Sequence, residues 1–209
     1  MKWTLDTTHT QVGFSVKHMA ISTVRGRFTT FEGAGETDAS GKLVQARFSI
    51  DAASIDTNQE QRDAHLRSAD FFDTEHFPTM SFESTSFSQQ GSDIAITGNF
   101  TMHGVTRSIT LHGETSPVVK DPWGMTRTAL TLEGTLNRKE WGLSWNQALE
   151  LGGLMVSEDV KLFIELEAVA AAETAAETAA ETAAETAAET AAETAAETAA
   201  ETAAESAAA

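Results

Sequence analysis

The chain has 209 residues, 41% of them hydrophobic, which is enough for one domain with a sizeable core. It contains no cysteine, so disulfides, thiol nucleophiles and cysteine-ligated metals are excluded. The formal charge is −17, but nine of the 31 acids fall between Glu173 and Glu205; the remaining 22 face 14 bases with no basic stripe, which argues against nucleic acid and against docking on anionic lipid.

Met1 to Asp6 passes straight into an alternating pattern, without the apolar region of about 7 to 15 residues that a secretory signal needs. A cytoplasmic protein is expected, or a periplasmic or secreted one if a signal segment has been removed. No apolar run approaches about 18 residues, so no transmembrane segment is expected.

Val12, Phe14, Val16 and His18 share one parity against Gly13, Ser15 and Lys17, the mark of a strand with one apolar face. Val24, Gly26 and Phe28 alternate against Arg25 and Arg27, and Val44, Ala46, Phe48 and Ile50 against Gln45, Arg47, Ser49 and Asp51. Gly33, Gly35 and Gly41 read as turn residues between them. Gln59 to Ser68 predicts a short helix, whereas Asp70 to Pro78 has neither helical nor strand periodicity. Phe71, Phe72 and Phe77 fall there, and leaving three phenyl rings in water would forfeit about 1.5 to 3 kcal/mol each, so the stretch is expected to cap an apolar interior.

Met80 and Phe82 open a strand toward Phe87, and Ile94, Ile96, Phe100 and Met102 form the next inward row. Gly98, Gly113 and Gly134 interrupt bulky rows, as expected at barrel corners or where room is left inside. His103-Gly104 turns into a hairpin burying Ile109 and Leu111, a loop with Pro117, Pro122 and Trp123 follows, and Leu130, Leu132 and Leu136 resume the alternation. Trp141 and Trp145 lie in a glycine-rich connection before Val160, Leu162, Ile164 and Leu166, the last strand and expected closing seam. About eight strands, frequent turns and one short helix predict an all-β, antiparallel eight-stranded barrel over residues 1–169. Residues 170–209 repeat Ala-Ala-Glu-Thr, whose glutamates four apart repel, so a solvated acidic tail or a marginal helix is expected.

The string RDAHLRSADFFDTEHFPTMSFEST from Arg62 closely resembles the signature of the YceI-like family, and WTLDTTHTQVGFSVKH from Trp3, GNFTMHGVTRSIT from Gly98 and NRKEWG from Asn137 resemble its other motifs. The resemblance spans residues 2–167, with Trp141 standing where the family more often has phenylalanine. It implies a lipocalin-like barrel that binds a polyisoprenoid or similar long-chain lipid, with no cofactor required beyond that ligand.

The expected lining comprises Phe14, Phe28, Phe48, Phe71, Phe72, Phe77, Phe82, Phe100, Met102, Trp141 and Leu162. Head-group candidates are His18, Arg62, His65, His103 and Arg138. Arg62, Arg67 and Arg138 are otherwise expected to pair with acids such as Asp63, Asp70, Asp73 or Glu140; the sharper reading has one of them, with Lys17, Arg25 or Arg27, receive a polar head group at the barrel mouth. The bland role of His65 and His76 is to tie down the cap, and that of His103 is a turn.

Six histidines form no HExxH and no recurrent ligand spacing, and Asp63 and His65, which a triad with a serine such as Ser68 would need, lie two residues apart and do not face each other on a helix, with no Gly-x-Ser-x-Gly turn, so neither a metal site nor hydrolysis is indicated. The function expected is non-enzymatic sequestration or carriage of a polyisoprenoid or isoprenoid quinone. A redox accessory or enzyme acting on a bound quinone-like ligand, with histidine as proton donor, is the alternative, and a filled barrel whose acidic tail does the work is a third reading. An exposed last strand or cap would support a homodimer, for which parity alone supplies no interface.

Overall fold

In the computed structural model, which describes residues 1–150 and 152–171, the period-two segments form one sheet rolled into a closed antiparallel barrel. The strands are β1 (Lys2–Leu5), β2 (Gln11–His18), β3 (Ser22–Phe28), β4 (Phe31–Thr37), β5 (Leu43–Asp51), β6 (Ile55–Asp56), β7 (Thr79–Gln90), β8 (Asp93–Met102), β9 (Val105–Thr115), β10 (Val119–Lys120), β11 (Thr126–Asn137) and β12 (Val156–Ala170). A helix, α1 (Glu60–Arg67), stands between β6 and β7. Of residues 170–209, expected to form a tail, Ala170 instead ends β12 opposite Trp3, and 172–209 lie outside the described residues.

Several strands are segments of one stave. β1 and β2 lie end to end along a single edge of β12, with Thr4 opposite Val169 and Phe14 opposite Leu162. β3 and β4 lie end to end against them, followed by β5, β7, β8, β9 and β11. The other edge of β12 pairs with β11 from Arg127↔Val169 to Asn137↔Asp159, so the last strand closes an eight-stave, lipocalin-like meander. A stave the length of β11 spans about 40 Å along itself, or about 30 Å of barrel axis at a tilt of about 40°.

Glycine has a different role here from the one its spacing suggests. Gly33 and Gly35 are not turn residues but lie inside β4, and of the three only Gly41, at φ 82°, turns the chain. Gly98 and Gly33 seat rings. A methyl added at Gly98 would stand 2.4 Å from the Phe82 ring, and at Gly33 2.7 Å from the Phe48 ring. Gly113 allows close passage of the neighbouring strand, since a methyl there would lie 1.7 Å from the Thr131 carbonyl oxygen.

The buried core falls in two clusters at the two ends of the barrel. Phe28, Ile50, Ile55, Met80, Phe100, Met102 and Trp141 gather toward α1, and Ile94, Ile96, Leu111 and Leu132 lie at the opposite end. α1 begins where the Gln59 side chain accepts from the Arg62 backbone N–H, and its face is tied to the barrel by Arg67, which donates to the Ala53 and Ile55 carbonyls at 2.7 and 2.8 Å. Beyond it the chain turns tightly, with Phe72 N–H donating to Leu66 O and Phe77 N–H to Asp73 O, and Asp73 at φ 48°. His65 and His76 hold this cap through Asp70 and Asp73, each at 2.9 Å.

Candidate functional site

One parity of the staves faces inward onto a cavity of about 990 Å³, near the upper end of ligand-pocket sizes. Val12, Phe14 and Val16 of β2, Ile94 and Ile96 of β8, and Val160, Leu162 and Ile164 of β12 line it, two residues apart as the pleat requires. The lining is overwhelmingly apolar. At one end lie Arg62, His65, Phe71, Phe72, Arg138 and Trp145; at the other, Gly41, Gly91, Ser92, Pro117 and Val118.

Of the residues anticipated as lining, Phe14, Phe28, Phe48, Phe71, Phe72, Phe82, Phe100, Met102 and Leu162 do border the cavity. Phe77 and Trp141 do not. The Phe77 ring instead packs 4.7 Å from His103 and against Gly104, covering the β8–β9 hairpin. Trp141 is 1% exposed and donates its indole N–H to the Phe100 carbonyl at 3.2 Å, filling the wall rather than facing the space. Among head-group candidates, His18, Arg62, His65 and Arg138 border the cavity; His103, at φ 51°, is the turn residue and its Nδ1 lies 3.2 Å from the Trp141 carbonyl. Lys17, Arg25 and Arg27 take the outward parity and lie exposed.

Arg62, Arg67 and Arg138 donate to a threonine and to backbone carbonyls instead of the acids expected. Arg62 donates from Nε to Thr57 Oγ1 and from Nη2 to Thr57 O, each at 2.7 Å, while the buried Asp63 accepts from Thr57 N–H at 3.0 Å and from its hydroxyl. Backbone carbonyls converge on these guanidiniums because the turns around them leave acceptors outside any ladder. Asp63 thus faces Thr57 while His65 faces Asp70, and no proton relay links them.

Arg138 has the most unusual environment. It opens a helical turn, Arg138–Trp141, begun by the Asn137 side chain accepting from Lys139 N–H and ended by Gly142 at φ 84°. Trp141 locks that turn to β8, and Arg138 is held inside at 4% exposure. Its Nε donates to Ser157 O at 3.0 Å and Nη1 to Leu143 O, but Nη2 is the one buried side-chain polar atom without a partner among the described residues. Burial lowers its pKa from the ordinary arginine value, opposed by the Glu158 carboxylate. Its guanidinium carbon lies 5.9 Å from the Phe71 ring centre. Phe71 in turn meets His65 at 5.1 Å and Trp145 at 5.2 Å, with His65 and Trp145 4.8 Å apart, an aromatic trio closing this end.

Sequence patterning missed Thr57, Leu143 and Trp145, which come from connections without periodicity. It also missed the grouping of Asp6, His9 and Glu167, whose potential ligand atoms lie within 4.8 Å of one another. Arg127 Nη1 donates to both carboxylates there, at 2.7 Å to Asp6 and 2.6 Å to Glu167, and so stands where a cation would.

The YceI-like domain model matches residues 3–168. UPF0312 protein SA2479 of Staphylococcus aureus strain N315 is 37% identical over 161 residues, which cover 76% of this chain and 92% of that protein. The crystal structure of the Campylobacter jejuni YCEI protein superposes with a TM-score of 0.66 at 30% identity, covering 80% of this chain and 97% of that one. A polyisoprenoid binding domain from Saccharophagus degradans shares the fold at a TM-score of 0.60 and 16% identity, over 81% and 98% of the two chains. With its motifs, its closed eight-stave meander and a family match running almost the whole length of the barrel, this chain belongs to the YceI-like family.

Proposed function

We propose that the barrel binds a long-chain apolar lipid, a polyisoprenoid or an isoprenoid quinone, and sequesters or carries it without chemical turnover. The observation that carries this reading is the cavity itself: about 990 Å³ of apolar space in a domain whose surrounding rows are otherwise closely packed. Such a space is costly when empty, and at about 0.8 kcal/mol per buried CH₂ a single isoprene unit offsets several kcal/mol. The name of the Saccharophagus relative, a polyisoprenoid binding domain, supports the same ligand class. The mechanism is passive: the chain lies along the inward rows of β2, β8 and β12, the Phe71 and Phe72 segment covers one end, and the head group rests among the polar residues there.

Native mass spectrometry of freshly purified protein, followed by organic extraction, tests this directly. A stoichiometric long-chain adduct is expected. Leu162→Trp, which places a large side chain into the lining, should fold normally and lose the adduct. A wild-type chain at its sequence mass that also refuses added isoprenoids and quinones would overturn the reading.

A further inference from the structure

A lipid held in the barrel has to enter and leave it, and the end of the cavity away from α1 opens outward. Gly41, Gly91, Ser92, Pro117 and Val118 border the cavity there and are all exposed. From that mouth the chain continues as a hairpin, with Val119 opposite Arg127 and Lys120 opposite Thr126. Its surface is apolar: Val118, Val119 and Met125 are exposed and Trp123 is 81% exposed, beside a single lysine, Lys120, and a single acid, Asp121.

The turn that exposes the indole is braced. The Asp121 side chain is only 8% exposed, paired with Arg127 at 2.7 Å, and its carboxylate accepts from the Trp123 and Met125 backbone N–H groups at 2.9 Å each. Asp121 N–H donates to Met125 O, and Gly124 N–H to Asp121 O. Trp123 is thus held out in water, where its apolar surface gains nothing. With Asp121 matched by Arg127, the hairpin presents aliphatic side chains, an indole and an ammonium, a set that settles between lipid head groups and acyl chains.

We infer, resting on the lipid-binding reading, that the Val118–Met125 hairpin docks the barrel mouth on a neutral lipid bilayer, so that an apolar chain passes between membrane and cavity without crossing water. Val118 joins the two surfaces, since it borders the cavity and is exposed as well. The bilayer is neutral because 22 acids face 14 bases outside the repeat, which opposes approach to anionic lipid. Ile21 and Leu154 are exposed near the other end of β12, but the exposed residues bordering the cavity beside α1 include the polar Gln59, Gln61 and Arg62.

The test mixes full-length protein with dioleoylphosphatidylcholine vesicles and reads partitioning by flotation; farnesol affinity is measured separately by calorimetry without vesicles. Wild type should float, and its tryptophan emission should shift to the blue, because Trp3 and Trp141 are already buried and Trp123 is the exposed indole. Neither Trp123 nor Met125 borders the cavity, so Trp123→Ser with Met125→Ser should weaken partitioning about tenfold and slow transfer of dansyl-labelled farnesol from the vesicles, with farnesol affinity within about threefold of wild type. Ile21→Ser with Leu154→Ser should leave partitioning unchanged. A wild type that takes up farnesol but does not float overturns the docking alone. Flotation that survives the Trp123 pair, or that is lost with the Ile21 pair, overturns it too. So does light scattering that shows a wild-type dimer, absent from vesicles, which the Trp123 pair turns into a monomer, since the hairpin then covers a second copy. Flotation through Trp123 by a protein that refuses farnesol and longer prenyl chains upholds the docking and overturns the lipid-binding reading.

Discussion

Gly26 sits directly opposite Phe14 in the β2–β3 ladder, and the Phe14 ring covers its backbone so closely that an added methyl would stand 2.4 Å from the ring. Gly33 with Phe48 and Gly13 with Phe163 are related in the same way, each glycine paired across the ladder with the ring that covers it. A phenyl ring folded over a cross-strand glycine recovers buried area that the glycine cannot supply and pins the register of the pair.

Gly26→Val should therefore displace the Phe14 ring toward the cavity. A loss of about 1 to 3 kcal/mol is expected from overpacking, read as a lower urea midpoint at unchanged slope. A wild-type midpoint would mean that the ring gives way freely and that the glycine seats nothing.

Phe71 and Phe77 lie six residues apart in the cap, yet they should behave differently. Phe71 is 6% exposed and borders the cavity, so Phe71→Ala should destabilise by about 3 kcal/mol and also speed lipid release several-fold. Phe77 packs on His103 and Gly104 away from the space, so Phe77→Ala should cost stability but leave the release rate unchanged. Stopped-flow transfer of a bound fluorescent lipid to acceptor vesicles separates the two; equal release rates for both variants would contradict the assignment.

Arg127 gathers three carboxylates: Asp6 just after β1, Asp121 just after β10 and Glu167 of β12. Hydrogen bonds from Thr8, Arg127 and His9 hold Asp6 well below the usual carboxylate range, and Arg127 likewise lowers Asp121. Because the folded values are depressed, the stability these groups contribute is present above the ordinary aspartate pKa of about 3.9 and is lost as pH falls below it toward the folded values. Melting temperature should fall steeply below about pH 4, and Arg127→Met should lower it at pH 7 while flattening that acid slope. An identical slope in the variant would show that the decline arises elsewhere.

His76 hydrogen-bonds to Asp73, which raises its pKa above 6.5. The sign here is opposite: the stabilisation is present below the unfolded value and disappears as pH rises through the higher folded one. In an NMR titration, His76 should protonate at a higher pH in wild type than in Asp73→Asn, where the midpoint should return to about 6.5. Coincident midpoints would remove Asp73 as the cause.

Residue parity by itself determined a great deal about this protein. Alternation in a strand assigns each side chain to a face whatever the strand pairs with, so the inward rows of Phe14, Phe100 and Leu162, the closing role of β12 and the helix from Glu60 to Arg67 were legible from local pattern alone. Only the tertiary structure decided what lies between those rows. Whether an inward residue fills or lines depends on partners far along the chain: Trp141 turns to the Phe100 carbonyl and leaves the cavity, and Phe77 covers a hairpin it does not adjoin in sequence. The arginines show the same limit. Local charge pairs Arg138 with Glu140 on paper, but the turn aims its guanidinium at carbonyls of Leu143 and Ser157, because buried donors are satisfied by whichever acceptors the fold brings within about 3 Å, and sequence proximity does not choose them.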